Sequence, residues 1–99
     1  MSTYILHLNW TDQGIRRVKH SPERLDAAKK ALKAMGGELK AFYMTQGTYD
    51  ILLILTVPND AILAKFVLTL GSLGNVRTTT VKAYTEAEYR KIIAGLPAL

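Results

Sequence analysis

Six side chains in this 99-residue chain have the chemistry of a ligand site: His7, Asn9, Tyr43, Tyr49, Asp50 and Arg77. An imidazole that titrates near neutral pH, two phenols, a carboxylate, an amide and a guanidinium could hold a small anionic or aromatic molecule. With His7 as base and Tyr43 or Tyr49 as hydrogen-bond donor, the same set could support proton transfer. Four of them also have a structural reading. His7 lies between Ile5 and Asn9 in an apolar stretch, where a histidine can simply be a hydrogen-bonded core residue. Asp50 could accept backbone N–H groups from the segment Thr11 to Gly14, or pair with Arg77 as an architectural clamp. Tyr49 follows a glycine turn, where an aromatic ring packs over a hairpin.

The six residues are scattered along the chain, so a fold must gather them. Tyr4 to Trp10 alternates as a strand, with Tyr4, Leu6, Leu8 and Trp10 on one face and Ile5, His7 and Asn9 on the other. Trp10 therefore belongs with the core. A polar loop is expected from Thr11 to His20, and His20 within it is solvated. Ser21-Pro22-Glu23 opens a helix, with Ser21 as cap and Pro22 in the first turn. Its stripe is Leu25, Ala28, Leu32 and Met35, its outer face carries Lys29, Lys30 and Lys33, and Gly36-Gly37 ends it.

Glu38 to Thr45 and Tyr49 to Val57 read as a hairpin joined through Gly47. In the latter strand Tyr49 and Asp50 have opposite parity, so they should take opposite faces. Pro58 ends that strand, Asn59 or Asp60 caps a second helix running to about Leu73, and Val76 to Ala83 is a β-branched fourth strand. Thr85-Glu86-Ala87-Glu88 is a capping box for a tail helix of about residues 86–95, with an apolar face of Tyr89, Ile92, Ile93 and Leu96.

The order βαββαβ plus a tail helix predicts a single α+β domain over residues 1–99, with its core at about 4–84. The expected fold is ferredoxin-like, with an antiparallel sheet of spatial order 4-1-3-2 and both main helices on one face. That topology brings Asn9, Trp10, Thr45, Tyr49, Asp50 and Arg77 to one end of the sheet, with His7 and Tyr43 one step further in. It also leaves one sheet face uncovered. The run Ile51-Leu-Leu-Ile-Leu is apolar on both faces, and the second helix is apolar nearly all round, so self-association into a homodimer or higher homo-oligomer is expected.

Other chemistries find little footing. The absence of cysteine excludes disulfides and thiolate metal sites and fits a cytoplasmic location. Two histidines without carboxylates at ligand spacing argue against a metal site. No cofactor motif is present: Gly71 to Gly74 ends a helix rather than opening one after a strand. Ser2, Ser21 and Ser72 lack a nucleophile context. The net charge of +5 is spread over the first loop, the first helix and the tail without aromatic interleaving, so no nucleic-acid surface is expected. No signal peptide is visible and no apolar run is long enough to span a membrane.

Gly47-Thr48-Tyr49-Asp50, Thr11-Asp12-Gln13-Gly14-Ile15 after the first strand, and Leu73-Gly74-Asn75-Val76-Arg77-Thr78 entering the fourth give a specific pattern in order and spacing. With these motifs the chain resembles the GYD domain family over most of residues 4 to 84. The resemblance implies a ferredoxin-like domain of the dimeric α/β-barrel type, in which two sheets pack through their open faces. It implies no established reaction. Members of that family often carry an acidic residue near the end of the third strand, where this chain has Thr56, so chemistry built on that carboxylate is not carried over.

Three readings follow. The first is a self-associating barrel protein that binds a small molecule between sheet and partner. The second is a cofactor-independent oxygenase or isomerase using His7, Asn9, Tyr43 and Arg77 around a small aromatic substrate. The third is a purely structural or regulatory oligomerisation module.

Overall fold

The computed structural model describes residues 1–99. β1 (Ser2–Trp10) leads through a short helix, α1 (Asp12–Arg16), and a 3-10 turn (Val18–His20) into α2 (Ser21–Ala34). The β2 (Glu38–Met44) and β3 (Ile51–Val57) hairpin, α3 (Asp60–Ser72), β4 (Val76–Ala83) and α4 (Glu86–Ala94) follow. The strands form one antiparallel sheet in the order β2-β3-β1-β4, the ferredoxin-like arrangement that the element order predicts.

Alternation decides where the core sits. Tyr4, Leu6 and Leu8 of β1 and Ile51, Leu53, Leu55 and Val57 of β3 turn toward α2 and α3 and are buried with Leu32, Leu63 and Phe66. Burying each of these side chains contributes about 1.5–3 kcal/mol before the entropy of ordering is counted. Trp10 packs against this cluster, as its parity predicts. The Tyr4 hydroxyl donates to Asp60 in the first turn of α3, which fixes that helix to the start of β1.

The helix starts show how far local chemistry sets the elements. The Asn59 side chain accepts from the Ile62 N–H at 3.0 Å and caps α3. Thr85 and Glu88 cap α4 reciprocally, as the capping-box spacing predicts. Ser21 is not a cap: it is already helical, because the 3-10 turn hands the chain directly into α2, and His20 takes the cap position without a side-chain bond.

The expected loop of Thr11 to His20 is also partly helical. The Thr11 hydroxyl accepts from the Gly14 N–H at 3.0 Å, which nucleates α1, and donates to the Gly74 carbonyl at 2.6 Å. Gln13 Nε2 donates to the Leu73 carbonyl and to Asn75 Oδ1, and the Thr11 N–H donates to the Asn75 carbonyl at 3.1 Å. Gly14 is buried in this lock, and a Cβ there would lie 1.9 Å from the Asn75 carbonyl oxygen. Two of the sequence motifs are therefore the two halves of one latch joining the β1–α2 connection to the turn before β4.

A bulge in β2 sets the faces of the hairpin. Leu39 opposes Leu55 and Ala41 opposes Ile54, so Lys40 is an extra residue in β2. Simple alternation would put Leu39, Ala41 and Tyr43 on one face. The inserted residue leaves Leu39 with the core and moves Ala41 and Tyr43 to the open face, opposite Ile54 and Leu52.

The tail helix does not fold back over α3. The chain spans 55 × 31 × 19 Å with a radius of gyration of 15.3 Å, against roughly 13 Å for a compact domain of this length. Tyr89, Ile92, Ile93 and Leu96 are exposed. The expectation that α3 is buried all round does not hold within one chain either: Leu63 and Phe66 are buried, whereas Leu68 is 71% exposed.

Candidate functional site

The open face of the sheet carries four of the six candidate residues in register. His7 lies opposite Leu52 and Thr79, Leu52 in turn lies opposite Tyr43, and Asn9 lies opposite Arg77. The next row toward the middle of the sheet is aliphatic: Ala41, Ile54, Ile5 and Val81. The face therefore has an apolar centre and a polar, aromatic end.

Tyr49 joins that end by an unexpected route. β3 begins at Ile51, and the residues before it form the hairpin loop, so strand alternation does not reach Tyr49. Its ring stacks on His7 with centroids 4.3 Å apart and planes inclined by 22°. Tyr49 is thus brought to His7, while Tyr43 stands exposed two strands away from it.

Asp50 and Asn9 serve the loop itself. The Asp50 N–H donates to the Leu8 carbonyl at 2.9 Å, and Asp50 Oδ2 accepts the Trp10 N–H at 3.0 Å. The side chain supplies the acceptor for the last N–H of β1 just where β3 leaves the ladder. The donor expected from the sequence lay one or more residues later, in Thr11 to Gly14, but those N–H groups serve the cap of α1 and the latch to Asn75. Asn9 Nδ2 donates to the Thr48 carbonyl at 2.9 Å, and Thr45 closes the loop by donating from its N–H to the Asp50 carbonyl and from its hydroxyl to the Tyr49 carbonyl. Arg77 makes no ion pair with Asp50; the ion pairs are Lys40–Glu38 and Arg90–Glu86. The His7 ring is held by its stack on Tyr49 and not by a hydrogen bond to another side chain. No group of three or more His, Asp or Glu side chains converges where a metal could sit.

An apolar concavity lies on the other side of the sheet. A groove of about 510 Å³ runs between α2 and α3 at the Trp10 end, and none of the six candidates lines it. Fifteen of its twenty lining residues are hydrophobic. Leu8, Ile51, Leu53 and Phe66 form buried parts of its lining, and small residues of α2, Ala27, Ala28 and Ala31, leave it open on one wall. Arg24 is its one charged residue; Nη1 donates to the Arg17 carbonyl at 3.0 Å and Nη2 is buried without a partner. Sequence reasoning missed this groove, although a run of alanines on the inner face of a helix is a legible sign of unfilled space.

The model of the GYD domain matches residues 4–93 of the chain, which takes in the sheet, the latch and most of the tail helix. The chain belongs to the GYD domain family. A similar GYD-sized relative is a glutamine synthetase and cystathionine beta-lyase binding protein from Thermus thermophilus, 30% identical over 89 residues, covering 89% of this chain and 94% of the relative. Among solved structures, the GYD chain is similar to a hypothetical protein, PHS023, from Pyrococcus horikoshii, with a TM-score of 0.56 and 22% identity, covering 87% and 93% of the two chains. It is also similar to the leucine response regulatory protein LrpA of Mycobacterium tuberculosis, with a TM-score of 0.56 and 17% identity. That match covers 85% of this chain but about half of LrpA, 51%. Both structural likenesses are likenesses of fold.

Proposed function

We propose that this GYD protein is a non-catalytic module that packs the open face of its sheet against a second copy, as a dimeric α/β-barrel, and acts by binding other proteins. The observation that carries the reading is the uncovered aliphatic centre of that face, formed by Ile5, Leu52, Ile54 and Val81, which no element of the chain protects from water. Two such faces pack about 10 Å apart with interdigitating side chains. Asn9 and Asp50 are taken up by backbone groups of the hairpin loop and β1 and are not paired with His7, which supports binding over catalysis. Action through protein partners is supported by the name of the Thermus relative, whose two stated partners are the first to test.

Ile54→Arg places an unpaired charge in the centre of the contact and should convert a dimer or larger species to a monomer in analytical ultracentrifugation. A wild-type chain that sediments as a monomer at micromolar concentration would overturn the reading. Immobilised wild-type protein should also retain purified glutamine synthetase or cystathionine beta-lyase from the same organism.

The His7–Tyr49 stack favours a second reading, in which the same contact also encloses a small molecule at its polar end. A screen of aromatic and anionic metabolites by thermal shift tests it, since a ligand specific to the folded form raises the melting temperature. No shift across the screen would remove it.

A further inference from the structure

Two apolar features of the chain are without a partner, and they match. The tail helix α4 carries Tyr89, Ile92 and Ile93 at helical spacing, continued by Leu96 just past its end, each between 47% and 61% exposed. A nine-residue helix is too short to hold itself in water, yet this one is capped at its start by a complete capping box. On the other side of the molecule lies the groove between α2 and α3, apolar and open along a wall of alanines.

We propose that α4 docks in the α2–α3 groove of a second copy, and that two copies exchange tails reciprocally.

The chain's own tail does not make this contact: its apolar residues stay exposed and the chain is drawn out to 55 Å. β4 starts beside Trp10, at the grooved end of the sheet, and finishes beside Thr3 at the far end. Seven residue steps of strand separate Val76 from Ala83, about 23 Å. Only Tyr84 lies between Ala83 and the cap residue Thr85, and the apolar stripe of the tail from Tyr89 to Leu96 spans about 10 Å. The tail therefore leaves the sheet at the end away from its own groove.

A second copy meets the requirement of size. Four large apolar side chains bury on the order of 400 Å², the groove wall about the same again, and reciprocity doubles the total to roughly 1,600 Å², the size of a standard specific interface. The groove and the open face lie on opposite sides of the sheet, so the exchange is independent of the face-to-face contact, and the two together assemble at least four copies.

The chain has no cysteine, which makes the test clean. Thr69 on the groove wall and Leu96 on the tail are both exposed, so Thr69→Cys and Leu96→Cys can each be introduced into the full chain without disturbing the core. Mixed and mildly oxidised, the two single variants should give a disulfide-linked pair on a non-reducing gel, because a bridge forms only where the Cα atoms approach within about 7 Å. No linked pair would overturn the proposal and leave the groove to a small molecule or a different protein. Leu96→Cys linking to itself in preference, or an intramolecular bridge in the double variant, would also overturn it. Ile92→Asp with Ile93→Asp should at least halve the mass seen by light scattering and leave the sheet-face dimer, whereas Ile54→Arg breaks only the other contact, so the two readings fail separately.

Discussion

Gly14→Ala is the sharpest perturbation of the latch between α1 and the turn before β4. The new Cβ would lie 1.9 Å from the Asn75 carbonyl oxygen, 2.8 Å from its carbonyl carbon and 3.1 Å from its Cα. All three are backbone atoms, so no side chain can rotate away and α1 must separate from the turn. Overpacking of this kind costs about 1–3 kcal/mol. The separation also weakens the Thr11 N–H to Asn75 carbonyl bond at 3.1 Å and the Thr11 hydroxyl to Gly74 carbonyl bond at 2.6 Å, at about 1 kcal/mol each. The sum is about 3–5 kcal/mol, a large share of the roughly 5–15 kcal/mol that holds a domain folded. At about 4–8 °C per kcal/mol, the melting temperature should fall by at least roughly 12 °C. Thermal unfolding followed by circular dichroism at one fixed protein concentration measures it, since association shifts the midpoint. Gly71→Ala is the matched control: its Cβ meets nothing within 4 Å inside α3, so it should leave stability unchanged or raise it by up to about 1 kcal/mol. A Gly14→Ala protein that melts within about 3 °C of the wild type would show that the latch yields without cost, and the account of Gly14 would fall.

Three further outcomes follow from individual contacts. Asp50→Ala removes a carboxylate acceptor from the Trp10 N–H and should lower stability by about 1.5–3 kcal/mol in urea titrations, while Asp50→Asn, which keeps an acceptor oxygen, should lose less; equal losses would show that the bond is not the cause. The hydrogen bond to Asp60, together with burial and the Asp60 charge, holds the Tyr4 phenol above its ordinary value of 10.0, so the neutral phenol favours the fold. That contribution is complete below the unfolded value and is lost as pH rises through the folded one, so alkaline unfolding should be steeper in wild type than in Tyr4→Phe. The Thr85 N–H and hydroxyl hold the Glu88 carboxyl below its ordinary value, so its contribution to α4 is present above the unfolded value and is lost as pH falls through the folded one. Acidification should therefore reduce far-ultraviolet helicity in wild type more than in Glu88→Gln.

Elements fixed by chemistry between near neighbours are legible in the amino-acid sequence alone. Asn59, Thr85 with Glu88, and the parity of Tyr4, Leu6 and Leu8 each follow from contacts within a few residues, and the topology follows from the order of the elements. The same order gathers the candidate residues to one end of the sheet, but their facing is less readable. Tyr49 sits beside His7 because the loop turns before β3 begins, and Tyr43 reaches the open face because Lys40 is inserted. Both facts turn on a single residue's displacement, which composition and periodicity average away. The partner of Asp50 lies one residue before the expected segment for the same reason. The alanines that line the groove are readable, but its width depends on how far α2 stands from α3, a distance set by packing between segments remote in sequence.

The inserted Lys40 has a consequence for how copies of this chain can meet. β2 is an outer strand, and an unbroken outer strand offers a row of N–H and C=O groups on which another strand can be laid without limit. Here the row is interrupted by the extra residue, which bends the strand and carries a charge, and Glu38 paired with Lys40 adds a second charged side chain beside it. Growth of the sheet along its hydrogen-bonding direction is blocked at that border. Along β2, copies that meet the apolar surface of the sheet are therefore steered to its face and away from strand-by-strand extension.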